Sequence, residues 1–476
     1  MSDPTDPKSG LGVFVQNLVA LPRQLREAVF RNGPPNSDRN RSQFVFGNVF
    51  LHLPYPAAAY DSIKDIHFVV PTGRFIRNIH RWAANVMVVT VILHMARAFY
   101  TGAYRRPREF NWLIGMGLLV TTLGLSFTGY LLPWDQLAYW AITIGANIAQ
   151  SPREVTDALH ITESFDPGGM QRQLLLGSDI VGEEALIRFY LMHVMILPLV
   201  LVAMLAVHFW RIRKDGGMTR PRDAGEKLGP PTKEVYPVFS ETPQKTYHLA
   251  AIVKGRTSAV GQSPENTVPS MPHLFYGELA VFMLTILVCL ALAIWSNAPL
   301  KELANPSVPE NPAKAPWYFL GLQELVAYSA FMGGVGIPSI VLLGLGLIPF
   351  IDREECGTGK WFGGPGGKSL VLQATLVGLA AAIGIEAFAI RFGWLREWYT
   401  NIPQLVITFV NPGTILASIY AIYSLWLVMR YRSTRAGALG LFTCFLCGFV
   451  VLTIIGTYFR GPNWAFYWSP SDWPSH

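Results

Sequence analysis

Eight apolar runs, each close to the ~20 residues an α-helix needs to cross a bilayer, limit what this chain can become. They cover residues 78–100, 111–132, 188–210, 275–295, 329–350, 369–390, 405–429 and 437–458. In hydrocarbon every backbone N–H and C=O must find a partner inside the protein, so such runs fold as helices. Composition agrees: 51% of the 476 residues are hydrophobic and 14% charged, against about 25% charged in soluble domains. The expected fold is all-α, a polytopic transmembrane helix bundle. The seventh run contains Asn411-Pro412-Gly413, which predicts a kink or a later start.

Two of these runs carry paired histidines, His80 with His94 and His193 with His208. The first pair is 14 residues apart and the second 15. Fourteen residues of helix rise about 21 Å in just under four turns, so both imidazoles lie on nearly one face. If the two helices run in the same direction, His80 meets His193 near one membrane surface and His94 meets His208 near the other. Each couple can ligate one haem iron through neutral imidazole. A single intramembrane histidine reads equally well as a proton relay or a packed polar group. Matched spacings favour ligation, and Gly115 and Gly129, also 14 apart, would let a flat macrocycle approach the next helix.

Arginine and lysine cluster after alternate runs: Arg97, Arg105, Arg106 and Arg108; Arg211, Arg213 and Lys214; Arg353 and Lys360; Arg430, Arg432 and Arg435. By the positive-inside rule these ends are cytoplasmic, which places His80 and His193 toward the outside. The net charge of +7 reflects this bias, and nucleic-acid binding is not expected. Residues 214–272 are rich in Pro, Gly, Lys and Glu and read as a cytoplasmic linker. The stretch Gly12 to Phe30 reads as an amphipathic surface helix, without the form of a signal peptide. Cys444 and Cys447 lie in an apolar run, where packing is the simpler reading than metal or redox chemistry.

Several motifs resemble the cytochrome b family, the membrane core of quinol:cytochrome c or plastocyanin oxidoreductases. They are Ile76-Arg77-Asn78-Ile79-His80-Arg81-Trp82, His94-Met95-Ala96-Arg97, Arg105-Arg106-Pro107-Arg108-Glu109, Gly129-Tyr130-Leu131-Leu132-Pro133-Trp134-Asp135-Gln136 and Arg188-Phe189-Tyr190-Leu191-Met192-His193. The Trp-Asp-Gln form and the 15-residue spacing are similar to the chloroplast and Gram-positive branch. The resemblance covers about residues 44 to 430 and implies two b-type haems. His80 and His193 would hold the outer iron, His94 and His208 the inner one, with Arg77 and Arg97 near propionates and Gly115 and Gly129 against the cofactors. It further implies that a quinol, menaquinol in this reading, gives one electron to a Rieske iron-sulfur protein. The other would pass inward to a quinone, building a proton gradient. A c-type cytochrome, membrane lipid and a homodimer of complexes complete the implied partners, in a bacterial plasma membrane. A dihaem anchor serving a peripheral enzyme without splitting the electrons is the alternative.

The implied chain divides into an N-terminal surface segment (1–60), a dihaem bundle (61–213), the linker (214–272), a half carrying the quinol-site motif (273–430), and an extra helix with an outer tail (431–476). The expected quinol pocket uses Phe127, Tyr130, Pro133, Trp134, Trp317, Tyr318 and Phe319, with Tyr318 and Glu324 as candidate catalytic groups. Here the sequence departs from the family. Its Pro-Glu-Trp-Tyr motif reads Ala315-Pro316-Trp317-Tyr318-Phe319, so the proton-accepting glutamate is replaced by Pro316. Glu324 is the nearest substitute, and a buried structural pairing is its equal alternative. A second departure is the span that precedes the His80 helix in the family. Gly33 and Gly47 keep its glycine spacing, but Pro34, Pro35, Arg39 and Arg41 exclude a membrane helix between them. The expectation is a segment missing near His52 to Tyr60. Trp464, Trp468 and Trp473 in the tail read as interfacial anchors or a docking surface for a cytochrome c subunit. The insertion from Ser151 to Leu176 is placed to touch the Rieske head.

Overall fold

The computed structural model describes residues 52–215, 270–354, 358–364 and 366–474. The Gly12–Phe30 helix, the Gly33/Gly47 pair and most of the linker lie outside these residues. Among the described residues the protein is helical, with only two isolated β-bridges. Eight helices are long and apolar enough to cross a membrane. They are α2 (Gly73–Tyr100), α3 (Glu109–Leu131), α7 (Glu183–Lys214), α8 (Phe275–Trp295), α10 (Met332–Ile351), α11 (Gly367–Phe392), α13 (Pro412–Tyr431) and α14 (Thr434–Phe459). The shorter helices α1 (Pro56–Lys64), α4 (Gln136–Gln150), α5 (Arg153–Ala158), α6 (Pro167–Leu176), α9 (Trp317–Tyr328) and α12 (Gln404–Phe409) fall on the side of the chain's alternating path where α2 begins, the side expected to be outer. Among the described residues no span precedes α2.

Local chemistry explains the ends of these elements. α13 starts later than the apolar run because Asn411 caps it, its side chain accepting from Thr414 N at 3.0 Å, and Pro412 occupies the first turn, where its missing N–H costs nothing. The residues before it form α12 instead. α7 is interrupted by a π turn over Met192–Ile196, followed at once by Pro198. Proline cannot donate to the turn before it, and a wide i→i+5 turn accommodates that loss.

The C-terminal helix is more than an appendage. Half of its most apolar window is buried, against 28% or less in the other seven spans. α14 packs on α11, α13 and α9. Gly378 of α11 allows the closest approach: a Cβ there would stand 2.9 Å from Cys444 Cα and 3.0 Å from Cys447 Cβ. Both cysteines therefore serve packing, and Cys444 Sγ points to Ala374 O at 3.3 Å.

The inner end is fastened by buried charge. Asp352 is fully buried; Arg105 donates to its Oδ1 and Oδ2 at 3.1 and 2.8 Å, and Tyr104 donates to Oδ2 at 2.5 Å. Arg435, also fully buried, donates to Tyr104 Oη at 2.8 Å and to the carbonyls of Phe99, Tyr100 and Gly363. Glu354 meanwhile accepts from Ser433, Thr434 and the Arg435 amide at the start of α14. Two of the arginines that orient the chain are thus internal partners of one aspartate. They join the first half of the molecule to the second.

Candidate functional site

His80 of α2 faces His193 of α7 with ring centroids 6.0 Å apart and planes at 88°. His94 faces His208 at 6.4 Å and 79°. Two imidazole nitrogens, each about 2 Å from a shared metal, put their ring centroids about 6 Å apart. The donor set therefore fits a six-coordinate iron between each pair. α2 and α7 run in the same direction, so the couples form two tiers along the bundle.

The surroundings of His193 define its chemistry. Its Nδ1 lies 3.0 Å from the Leu125 carbonyl and 3.4 Å from Thr128 Oγ1. A carbonyl only accepts, so Nδ1 carries the hydrogen and Nε2 keeps its lone pair for a metal. Gly129 makes this position possible: a Cβ there would come within 2.5 Å of His193 Cε1. At Gly115 the same test gives 3.7 Å to His208 Cε1. The two glycines thus meet the histidine rings. The π turn absorbs the odd residue in the second pair, since a turn closing i→i+5 takes about one residue more than an α turn. A spacing of 15 on α7 then matches 14 on α2.

Arg77 donates to the carbonyls of Ala298 and Pro299 and lies 3.3 Å from His67 Nδ1. It ties α2 to the segment after α8. Arg97 is exposed at the inner end of α2.

The expected quinol residues come together in part. Trp317 Nε1 donates to Asn85 Oδ1 of α2 at 2.9 Å. Tyr318 comes up to Ser126 of α3 and shares the neighbourhood of Arg81 with Tyr130. Burial raises the Tyr318 pKa, which keeps its hydroxyl protonated. Phe127 stands between these residues and the core, 5.5 Å from the Phe189 ring. Trp134, following Pro133, turns inward instead; it is buried in the core with Tyr139, Ile142 and Leu186. Phe319 sits against Tyr318, with ring centroids 5.0 Å apart.

The residues after Trp134 have a joining role that the sequence did not reveal. Asp135 caps α4 by accepting from Ala138 N at 2.9 Å and also accepts from Lys301 N at 2.9 Å. Gln136 accepts from Asn305 N at 2.7 Å and donates to Val308 O at 2.5 Å. Together they hold the connection leading to α9. Burial raises the Asp135 pKa, and the two amide hydrogen bonds oppose that shift.

Glu324 is fully buried on α9. Arg460 Nε donates to its two oxygens at 2.9 and 3.1 Å, Arg460 Nη2 adds a shorter bond, and Trp464 Nε1 donates to Oε2 at 3.1 Å. A second carboxylate, Glu386 of α11, is 3% exposed and lies 3.7 Å from Arg460 Nη2. Tyr328 Oη donates to Glu386 Oε2 at 3.0 Å. Sequence reasoning missed Glu386 and Arg460. Their only signal was a carboxylate inside one apolar run and an arginine just after another.

Fold and geometry define a polytopic all-α membrane protein with two tiers of facing histidines between parallel spans. The family model described as Cytochrome b(N-terminal)/b6/petB matches residues 85–308. Cytochrome b6 of Heliobacterium mobile is 47% identical over 171 residues, 35% of this chain and 75% of that protein. Cytochrome b6 of a Synechocystis species is 39% identical over 171 residues, 36% of this chain and 72% of that one. A chain of a solved hyperthermophilic respiratory Complex III shares the fold with a TM-score of 0.53 and 22% identity, covering 93% of this chain and 98% of that one. The protein belongs to the cytochrome b family, and haem binding comes with that membership.

Proposed function

We propose that the chain is the cytochrome b subunit of a quinol:cytochrome c oxidoreductase in a bacterial plasma membrane. It would act with a Rieske iron-sulfur protein and a c-type cytochrome, within a homodimer of complexes. The observation that supports this most directly is the two-tier arrangement of His80 with His193 and His94 with His208 at metal-bridging separations. Held by these residues, two b-type haems would supply one-electron carriage between the membrane surfaces.

The chain's own residues supply the rest. Leu125 and Thr128 fix the His193 tautomer, and Gly129 lets the ring reach its place. Menaquinol would bind between α3 and α9, its ring against Phe127, Tyr130, Trp317 and Phe319, with the Tyr318 hydroxyl available to it. Oxidation releases two electrons and two protons: one electron to the Rieske protein, the other inward to a quinone. Driving one charge against the membrane potential stores roughly 2.3 kcal/mol per 100 mV. Residues 61–213 would form the haem-carrying part and 273–430 the quinol-motif part. The final segment, 431–476, buttresses the latter through α14.

An anaerobic redox-titrated optical spectrum of the purified protein tests this reading. Two b-type signals at separate potentials are expected; one signal or none overturns it. Quinol-driven reduction of cytochrome c by the assembled complex tests the reaction, and a complex that exchanges electrons with quinone without reducing cytochrome c would favour a dihaem anchor.

A further inference from the structure

The Glu324, Glu386 and Arg460 cluster contains two carboxylates for one guanidinium, all nearly sealed from solvent. Their fractional exposures are 0%, 3% and 8%. With both carboxylates ionised the cluster would carry a net negative charge in a low-dielectric setting, which burial and like-charge repulsion both oppose. Both carboxylates lie within 4 Å of the same nitrogen, Arg460 Nη2. One guanidinium neutralises one carboxylate, so a proton on the other carboxyl group balances the cluster. The other nearby groups do not supply the missing positive charge, since Tyr328 and Trp464 are neutral donors.

We propose that Glu324 and Glu386 form a proton-binding site that holds one proton between them beside Arg460 and exchanges it during quinol oxidation on the same helix. The exchange rests on the proposed function above; the stored proton does not. Position favours the link, because Glu324 lies six residues along α9 from Tyr318, a rise of about 9 Å. On its other side the cluster meets the outer tail through Arg460 and Trp464, beside the exposed Asn463. A proton released by quinol would refill the pair as the stored proton leaves toward the tail, so the cluster returns to its starting charge. Intramembrane carboxylates paired in this way mark proton paths in other membrane proteins.

Infrared spectroscopy of the intact complex tests the storage directly. Expected is a protonated-carboxyl band that shifts in deuterium oxide and vanishes in both Glu386→Gln and Glu324→Gln. Each single variant leaves one carboxylate for Arg460, so each should abolish the shared proton. Absence of the band in the native complex, or its survival in either variant, overturns the site. The exchange is read from the rate of quinol-driven cytochrome c reduction in Glu386→Gln, with haem spectra as the control for folding. A fall on the order of 100-fold, the usual worth of a proton-transferring group, and recovery in Glu386→Asp are expected; an unchanged rate overturns the exchange. A native complex that shows the band but oxidises no quinol would refute the proposed function, and the exchange with it, while the stored proton stands.

Discussion

At the scale of single residues, the most demanding position is Gly129. A methyl group there would intrude on the His193 ring, and overpacking of this kind costs about 1–3 kcal/mol. Gly129→Ala should displace the imidazole, with loss of the outer b-type signal and retention of the inner one in an optical titration. His52 offers a pH test outside the spanning helices. Burial lowers its pKa from 6.5 to about 4, and its Nδ1 lies 3.1 Å from Ser62 Oγ. The unfolded chain therefore binds a proton that the folded chain refuses between those values. Stability is complete above about pH 6.5 and falls through the window down to pH 4, by up to about 3 kcal/mol. Thermal unfolding of the detergent-solubilised protein should show this slope, and His52→Asn should flatten it.

At the scale of elements, the π turn of α7 reconciles unequal spacings. Deleting Met195 would shorten the His193 to His208 interval to 14 and let the turn close as regular helix. Both haem signals should survive. Deleting Val89 from α2, which has no such turn between its histidines, rotates one ring by about 100° and should remove a haem. Pyridine haemochrome content per chain distinguishes these outcomes. The histidine faces were legible in the sequence because a helical period needs only the primary spacing. The turn was not, since an i→i+5 closure depends on how Pro198 and the neighbouring helices settle the freed carbonyls. The late start of α13 was legible for the opposite reason: Asn411-Pro412 acts locally.

At the scale of the whole molecule, Asp352 is the inner fastening between the two parts of the chain. Removing one partner of a buried pair leaves an uncompensated charge and costs about 3–5 kcal/mol. Asp352→Asn leaves Arg105 and Arg435 buried without their carboxylate, and should thus lower the thermal midpoint sharply and open the connection after α2 to protease. Arg435→Leu leaves Asp352 paired with Arg105 and is expected to cost less than Asp352→Asn. The outer fastening through Asp135, Gln136 and the 301–308 segment has no comparable buried ion pair. It is held by side-chain to backbone hydrogen bonds.

The sequence by itself determined the eight spans, their alternating direction and the pairing of four histidines. Apolar length, cation placement and helical spacing each act over a few turns and leave a readable period. The tertiary structure alone decided that Arg105 and Arg435 turn inward to one aspartate, that Trp134 enters the core, and that the last helix is central. It also brought Glu324, Glu386 and Arg460 together from α9, α11 and the segment after α14. No period in the chain announces that meeting, because contacts between distant segments are set by how whole helices pack.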